Sequence, residues 1–364
     1  MALQSSGSIS LGQVNTELNK SATASISLND ADVRNLAAIV SGQISMSNFY
    51  GKSSNPKPQQ KAIFGFGVTQ NTGKENNITN IITNTGVVGT DTPNTGIALP
   101  NQPLIGKEMA YRAAAGYGGD KAIFGFGFDR FYGAVNYVNR VSNTGVLAST
   151  SDLGGGRSGR ANLAAAGYGG DKAIFGFGDQ GPFQHMTNLV SNTGVVATDV
   201  TGVGTKRTGL AAAGYGGDKA IFAYGNDGTN YNSGVSMKNL VSNVGVLAAD
   251  VAGVGTRRRG LAAVGYGLDK ALFAYGAQNQ NYVEMQLSNL VTNTGVVGTD
   301  NSIAGRGREY LAGTGYGGDK GIFGYGNDFA FATVTNLVSN TGVVASELIA
   351  PGVGRYGTSG ACFG

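Results

Sequence analysis

Tryptophan is absent, and cysteine and histidine occur once each, as Cys362 and His185. A single thiol excludes a disulfide framework within the chain, and one His with one Cys cannot supply the usual nitrogen and sulfur ligands of a transition-metal site. No metal and no cofactor is expected. Charge of one sign is also missing: 26 basic residues face 22 acidic ones, for a net charge of +4. No long basic stretch with interleaved aromatics is present, so nucleic acid is not an expected partner. Long apolar runs are lacking too. None approaches the ~18 residues of a membrane span, and residues 1–10 have neither the basic start nor the apolar core of a secretory signal. Membrane insertion is not expected. The chain reads as soluble, or as delivered within a particle.

Glycine, in contrast, is abundant, at 62 of 364 residues against 7 prolines. A collagen-like triplet is absent, and 41% of residues are hydrophobic, so the glycines do not signal low complexity. They recur in register. The segment Lys-Ala-Ile-Phe-Gly-Phe-Gly begins at Lys61 and returns, with substitutions, at Lys121, Lys172, Lys219, Lys270 and Lys320. A second marker, Ser/Thr-Asn-Thr-Gly, follows each time and ends at Gly86, Gly145, Gly194, Gly245 (as Ser-Asn-Val-Gly), Gly295 and Gly342. A repeat of about 50 residues points to propellers or solenoids.

Each unit reads as four short strands. In the third unit these fall at 163–167, 173–177, 186–191 and 195–199, joined in pairs by Gly169-Gly170-Asp171-Lys172 and Asn192-Thr193-Gly194. Such turn residues suit antiparallel hairpins, and four antiparallel strands make a blade. The chain ends choose between propeller and solenoid. Residues 355–364 align without a gap on 207–216, an inner strand with no partner after it, while the unit at Lys61 has a second strand with none before it. A closed ring joins the two and removes an exposed edge; a solenoid would carry capping units. The predicted fold is an all-β, six-bladed propeller closed by the C-terminal strand. The Ala- and Gly-rich first strands suit the crowded axis. Phe124, Phe175, Phe222, Phe273 and Phe323 are the expected core between blades.

The order of signals resembles the kelch family over residues 61–364: Arg207, the small residues Ala211 to Ala213, a hairpin, the aromatic strand Lys219 to Phe222, Gly225, and then 240–246. Kelch propellers also close with a C-terminal innermost strand, and the resemblance implies a binding scaffold. Residues 1–52 form a separate, partly helical piece. Ser6-Gly-Ser-Ile-Ser-Leu11 is echoed by Ser41-Gly-Gln-Ile-Ser-Met46, and between them 30–40 reads as a short helix, capped by Asn29 or Asp30, with Val33, Leu36, Ala37 and Val40 on one face. This pattern, with the ending Met46-Ser-Asn-Phe-Tyr-Gly-Lys52, looks like the N-terminal modules of tailed-bacteriophage virion proteins (tail fibre or tail tip), which implies docking onto other virion or tail proteins. Residues 53–60 read as a Pro-bearing linker.

Strand order places the repeated turns on one face and the variable second-to-third loops, with the blade-to-blade connections, on the other. The linker would enter from the repeated face, which puts the attachment module opposite the variable loops. Those loops carry Phe128, Phe131, Tyr132, Phe183, Tyr231, Tyr282, Phe329 and Phe331 among amide and acidic side chains, a composition that suits sugar rings or a protein epitope. Arg160, Arg207, Arg258, Arg308 and Arg355 share one repeat position, where the second blade has Met109. They are expected either to ring the axial channel and take an anionic ligand or to lock blades together. His185 is expected to be an exposed loop residue, and no Ser has a nucleophile elbow around it. The repeated Asp120, Asp171, Asp218, Asp269 and Asp319 are too far apart for a carboxylate pair. The expected function is therefore a non-enzymatic host-surface binder on a virion, recognising a glycan or a protein, with a homo-oligomeric state in the particle compatible with it. The alternatives are a virion decoration or baseplate scaffold protein, and a polysaccharide hydrolase using Asp129, Asp179, Asp227 or Glu284.

Overall fold

Alternation of buried and half-buried positions along Ala113–Tyr117, and unbroken burial from Ala122 to Gly125 in the next strand, mark an inner strand at an axis and a second strand sandwiched between neighbours. This pattern recurs around the molecule. The computed structural model describes residues 3–4, 7–18, 20–37, 39, 41–50, 60–69, 73–93, 109–229, 234–278, 283–329 and 332–364. They fall into two compact units, Met1–Gln59 and Gln60–Gly364.

The larger unit is a six-bladed β-propeller, antiparallel throughout. The second blade runs from the axis outward as Ala113–Tyr117, Lys121–Gly125, Tyr137–Val141 and Ser151–Asp152. The first is assembled from both ends of the chain: Ser359–Phe363 pairs with Lys61–Gly65, in the register Lys61↔Phe363 to Gly65↔Ser359, followed by Ile78–Ile82 and Thr92–Pro93. The C-terminal strand therefore closes the ring. In the third unit the strands are Ala164–Tyr168, Lys172–Gly176 and Thr187–Val190, each displaced by about one residue from the sequence-based bounds. Its expected fourth strand, and that of the fourth blade, is reduced to isolated bridges: Val190↔Val196 and Thr187↔Val200 in one, Val241↔Leu247 and Lys238↔Val251 in the other.

The blades pack through their aromatic second strands. Phe124, Phe175, Phe222, Phe273 and Phe323 are fully buried, as expected. Room for them comes from small residues on the preceding blade: a methyl at Gly125 would lie 2.5 Å from Phe175, and one at Gly324 the same distance from Phe64. Two rings of backbone hydrogen bonds complete the closure. On the repeated face each hairpin glycine donates to the next blade, Gly118 to Asp171, Gly169 to Asp218, Gly216 to Asp269, Gly267 to Asp319, Gly317 to Gln60 and Gly364 to Asp120, at 2.7–2.8 Å. On the variable face Asn162 donates to Tyr111, Gly209 to Asn162, Gly260 to Gly209, Tyr310 to Gly260, Gly357 to Tyr310 and Tyr111 to Gly357, at 2.6–3.0 Å. Each circuit passes once through every blade, so an open stack could not form it.

The N-terminal unit contains α1 (Leu11–Glu17), α2 (Ala31–Ala37) and a 3₁₀ turn, Met46–Phe49. Val33, Leu36 and Ala37 lie on the buried face of α2, as their spacing predicts, and pack with Leu3, Ile9, Val14, Ile44 and Phe49; Val40 lies outside the described residues. The helix α1 was not anticipated. The echoed Ser-Gly-x-Ile-Ser pattern proves to be a pair of helix starts. Ser10 accepts from the Gln13 amide while the Gln13 side chain accepts from the Ser10 amide, and Ser45 and Asn48 form the second such box. Ile9 and Ile44, just before the caps, anchor both turns in the core.

Candidate functional site

The variable face has three kinds of residue: a buried arginine in the wall of each blade junction, exposed aromatics on the loops, and a polar-aromatic collar around the axis.

Arg160, Arg207, Arg258, Arg308 and Arg355 are 0% exposed, so they do not line the axial channel and cannot meet a ligand there. This corrects the first of the two sequence-based readings. Each guanidinium donates to an asparagine of its own blade's third strand, Asn188, Asn239, Asn289, Asn336 and Asn80 respectively. Each also stacks on an aromatic ring of the preceding blade, Phe126, Phe177, Tyr224, Tyr275 and Tyr325, with the guanidinium carbon 4.0–4.6 Å from the ring centroid. The physical reason is reach. A long side chain rooted before the inner strand extends outward along the blade junction, away from the axis. Burial lowers the pKa of Arg160 and Arg207 to about 10, with Asp199 and Asp250 respectively acting in the opposite direction, which leaves both charged at neutral pH. In the second blade Met109 is buried at the equivalent position, and Arg112, three residues on, takes over: it donates to Asn139 at 2.6 Å and stacks over Phe66 at 4.5 Å.

The loop aromatics divide. Phe131 and Tyr132 are 77% and 52% exposed. They are held out by the buried Asp129, whose Oδ1 accepts from both of their amides. Phe329 is 73% exposed with a left-handed backbone, φ 68°. Phe128 is only marginally exposed, in a short strand pair with Gly133–Ala134. Phe183 is half-buried against Gly228 of the next blade. Tyr231, Tyr282 and Phe331 lie outside the described residues. Of the loop acids, Asp227 accepts from the amide and hydroxyl of Thr229, and burial raises the pKa of Glu284, helped by Asp328. His185 is half-buried, with Nδ1 3.0 Å from the Gly204 carbonyl oxygen. The repeated hairpin aspartates each pair with the following lysine at 2.7–2.8 Å.

The collar was missed by sequence reasoning. It consists of the two residues that follow the repeated arginine position: Ala110-Tyr111, Ala161-Asn162, Thr208-Gly209, Arg259-Gly260, Glu309-Tyr310 and Tyr356-Gly357. The second member of every pair has a left-handed backbone, φ 51–65°, and belongs to the hydrogen-bonded ring at the mouth of an axial pocket. Glycine takes that conformation at little cost, whereas tyrosine does not, and yet Tyr111 and Tyr310 adopt it. Their rings meet edge-to-face at 5.5 Å, and Tyr356 lies 6.0 Å from Tyr111. Arg259 donates to the Tyr310 hydroxyl at 2.7 Å and to Glu309 at 3.2 Å. On the opposite side Thr208 and Asn162 both donate to Asp179 Oδ2, at 2.6 and 3.1 Å. The readable signal was variation: these two residues change from unit to unit inside an otherwise repeated segment.

No protein-family model matches the chain, and a search of curated proteins finds no relative. The six-bladed propeller is compatible with a binding role.

Proposed function

We propose that the chain is a non-enzymatic bacteriophage tail-fibre or tail-tip protein whose kelch-like propeller recognises the host surface, a glycan or a protein, through its variable-loop face, while residues 1–52 attach it to other virion proteins. The observation that carries this reading is the division of labour between the faces. The repeated face is consumed by the scaffold, in five near-identical hairpin turns and the Gln60/Gly364 junction of the first blade, joined by a ring of hydrogen bonds, and in lysine–aspartate pairs. The other face keeps Phe131, Tyr132 and Phe329 largely in solvent, where apolar rings gain little for the fold; the Phe131 ring has the Arg130 guanidinium carbon 5.9 Å from its centroid. Support for the virion assignment is the resemblance of the N-terminal segment.

The test is adsorption of the labelled full-length chain to intact bacterial cells. Phe131→Ser, Tyr132→Ser and Phe329→Ser combined should reduce adsorption at least several-fold, whereas Lys172→Glu with Lys219→Glu on the repeated face should not. The reverse pattern contradicts the proposal. A second reading, a scaffold that contacts neighbouring virion subunits, draws on six exposed valines, one per blade, at 87, 146, 195, 246, 296 and 343. Adsorption only to purified virion proteins would favour it.

A further inference from the structure

The collar combines an aromatic side and a polar side around an axial pocket. Tyr111, Tyr310 and Tyr356 come from the second, sixth and first blades and form the aromatic side. Asn162, Thr208 and Asp179 come from the third and fourth blades and form the polar side. Gly209 and Gly260 separate the two, and a methyl built on Gly209 would lie 4.0 Å from the Tyr310 hydroxyl.

Three features define the ligand chemistry. First, two hydrogen-bond acceptors are left open. The Asn162 side-chain oxygen is buried with no partner, and Asp179 spends only Oδ2 on Thr208 and Asn162, leaving Oδ1 without a partner among the described residues. An unpaired buried acceptor is destabilising, and a ligand that brings hydroxyl donors relieves it. Second, the positive charges at the collar and pocket are engaged: the Arg259 guanidinium by Glu309 and the Tyr310 hydroxyl, and that of Arg112, which lines the pocket, by Asn139 and the Phe124, Phe126 and Tyr137 carbonyls, while Asp179 adds a negative charge. Third, two tyrosines accept a left-handed backbone where three other blades have glycine. Such strain persists where surroundings or function over-determine it.

We infer that the collar is a binding site for a neutral sugar ring, with Tyr111 and Tyr310 packing against its C–H face and Asp179 and Asn162 accepting from its hydroxyls. This rests on the reading of the variable face as a recognition surface and specifies where on that face, and for what class of ligand. A quaternary ammonium would suit the aromatic side but has no N–H, and choline brings one hydroxyl where a sugar ring brings several to the acceptors. A sialylated or phosphorylated glycan would bring an anion to an acidic collar. Burial above all raises the Tyr310 phenol to about 12, with Glu309 and Asp179 adding to the effect and Arg259 opposing it, so the phenol stays a neutral donor and acceptor at physiological pH.

Titrating the full-length protein with methyl glycosides of glucose, galactose, mannose and N-acetylglucosamine, with N-acetylneuraminic acid and choline alongside, tests the inference. At least one neutral glycoside should bind, and Tyr310→Gly or Tyr111→Gly should weaken it by roughly tenfold. Glycine already stands at this ring position in three blades, so these variants keep the backbone circuit. Asp179→Asn, which leaves both tyrosines in place, should weaken binding similarly, while Lys172→Glu on the repeated face should leave it unchanged. Failure of every neutral glycoside, tighter binding of the acid or of choline, or binding that survives the collar substitutions would overturn the inference. If cell adsorption still depends on Phe131, Tyr132 and Phe329 when the glycosides fail, the recognition reading stands and only the collar site falls.

Discussion

Burying a guanidinium costs several kcal/mol unless it is hydrogen-bonded and its charge is met. In this protein it is met mainly by a ring face and an amide oxygen. Arg207 donates to Asn239 and to the carbonyls of Tyr224 and Met237, and lies over Phe177. Its Nε has no hydrogen-bond partner, so the lock is strong without being saturated. Replacing Arg207 by Ala removes the stacking and leaves Asn239 Oδ1 without its donor, for an expected loss of about 2–4 kcal/mol. Arg207→Lys keeps a charge but not the planar fork and should recover only part of this. Denaturant titration measures both, and a loss under about 0.5 kcal/mol for the alanine variant would contradict the locking role. The five arginines are visible in the sequence as a repeat position, but their direction is not, because spacing does not say which way a long side chain leans. Arg112 is harder still to see, since it fills the same role from three residues further on.

Among the elements, the inner and second strands could be read to within about one residue, because the Ala-rich and Phe-bearing motifs recur around the ring and the hairpin turns bound them. The outer strands were less legible. They make only a few pairs each, and in the third and fourth blades they shrink to single bridges, so little in the local pattern distinguishes them from connections. The helix α1 escaped notice for a related reason. Its seven residues hold too few apolar positions for a period to show, and Leu11 at its start is exposed. What specifies it is the cap. Ser10→Ala should cost the N-terminal unit about 1 kcal/mol and raise amide exchange along Leu11–Glu17 in the full chain, with the propeller amides unaffected. Unchanged exchange there would show that packing of Ile9 and Val14 alone holds the helix.

On the scale of the whole molecule, closure separates a face that builds the ring from a face free to vary. The sequence showed the ring through its two incomplete ends, and the division of the faces followed from strand order. The collar at the axis was not legible, because residues from all six blades converge there only after the ring has closed. Closure can be measured with the chain's own cysteine. Cys362 lies directly across from Ala62 in the antiparallel pairing of the first blade, and opposed residues in such a pair have Cα separations of ~4.5–5.5 Å, within disulfide range. Oxidising the Ala62→Cys variant and mapping its peptides should yield an intramolecular 62–362 disulfide in a monomer that keeps its cooperative unfolding. Two free thiols, or cross-linking only between molecules, would show that the ends of the propeller do not meet, and the assignment of scaffold and recognition faces would fall with them.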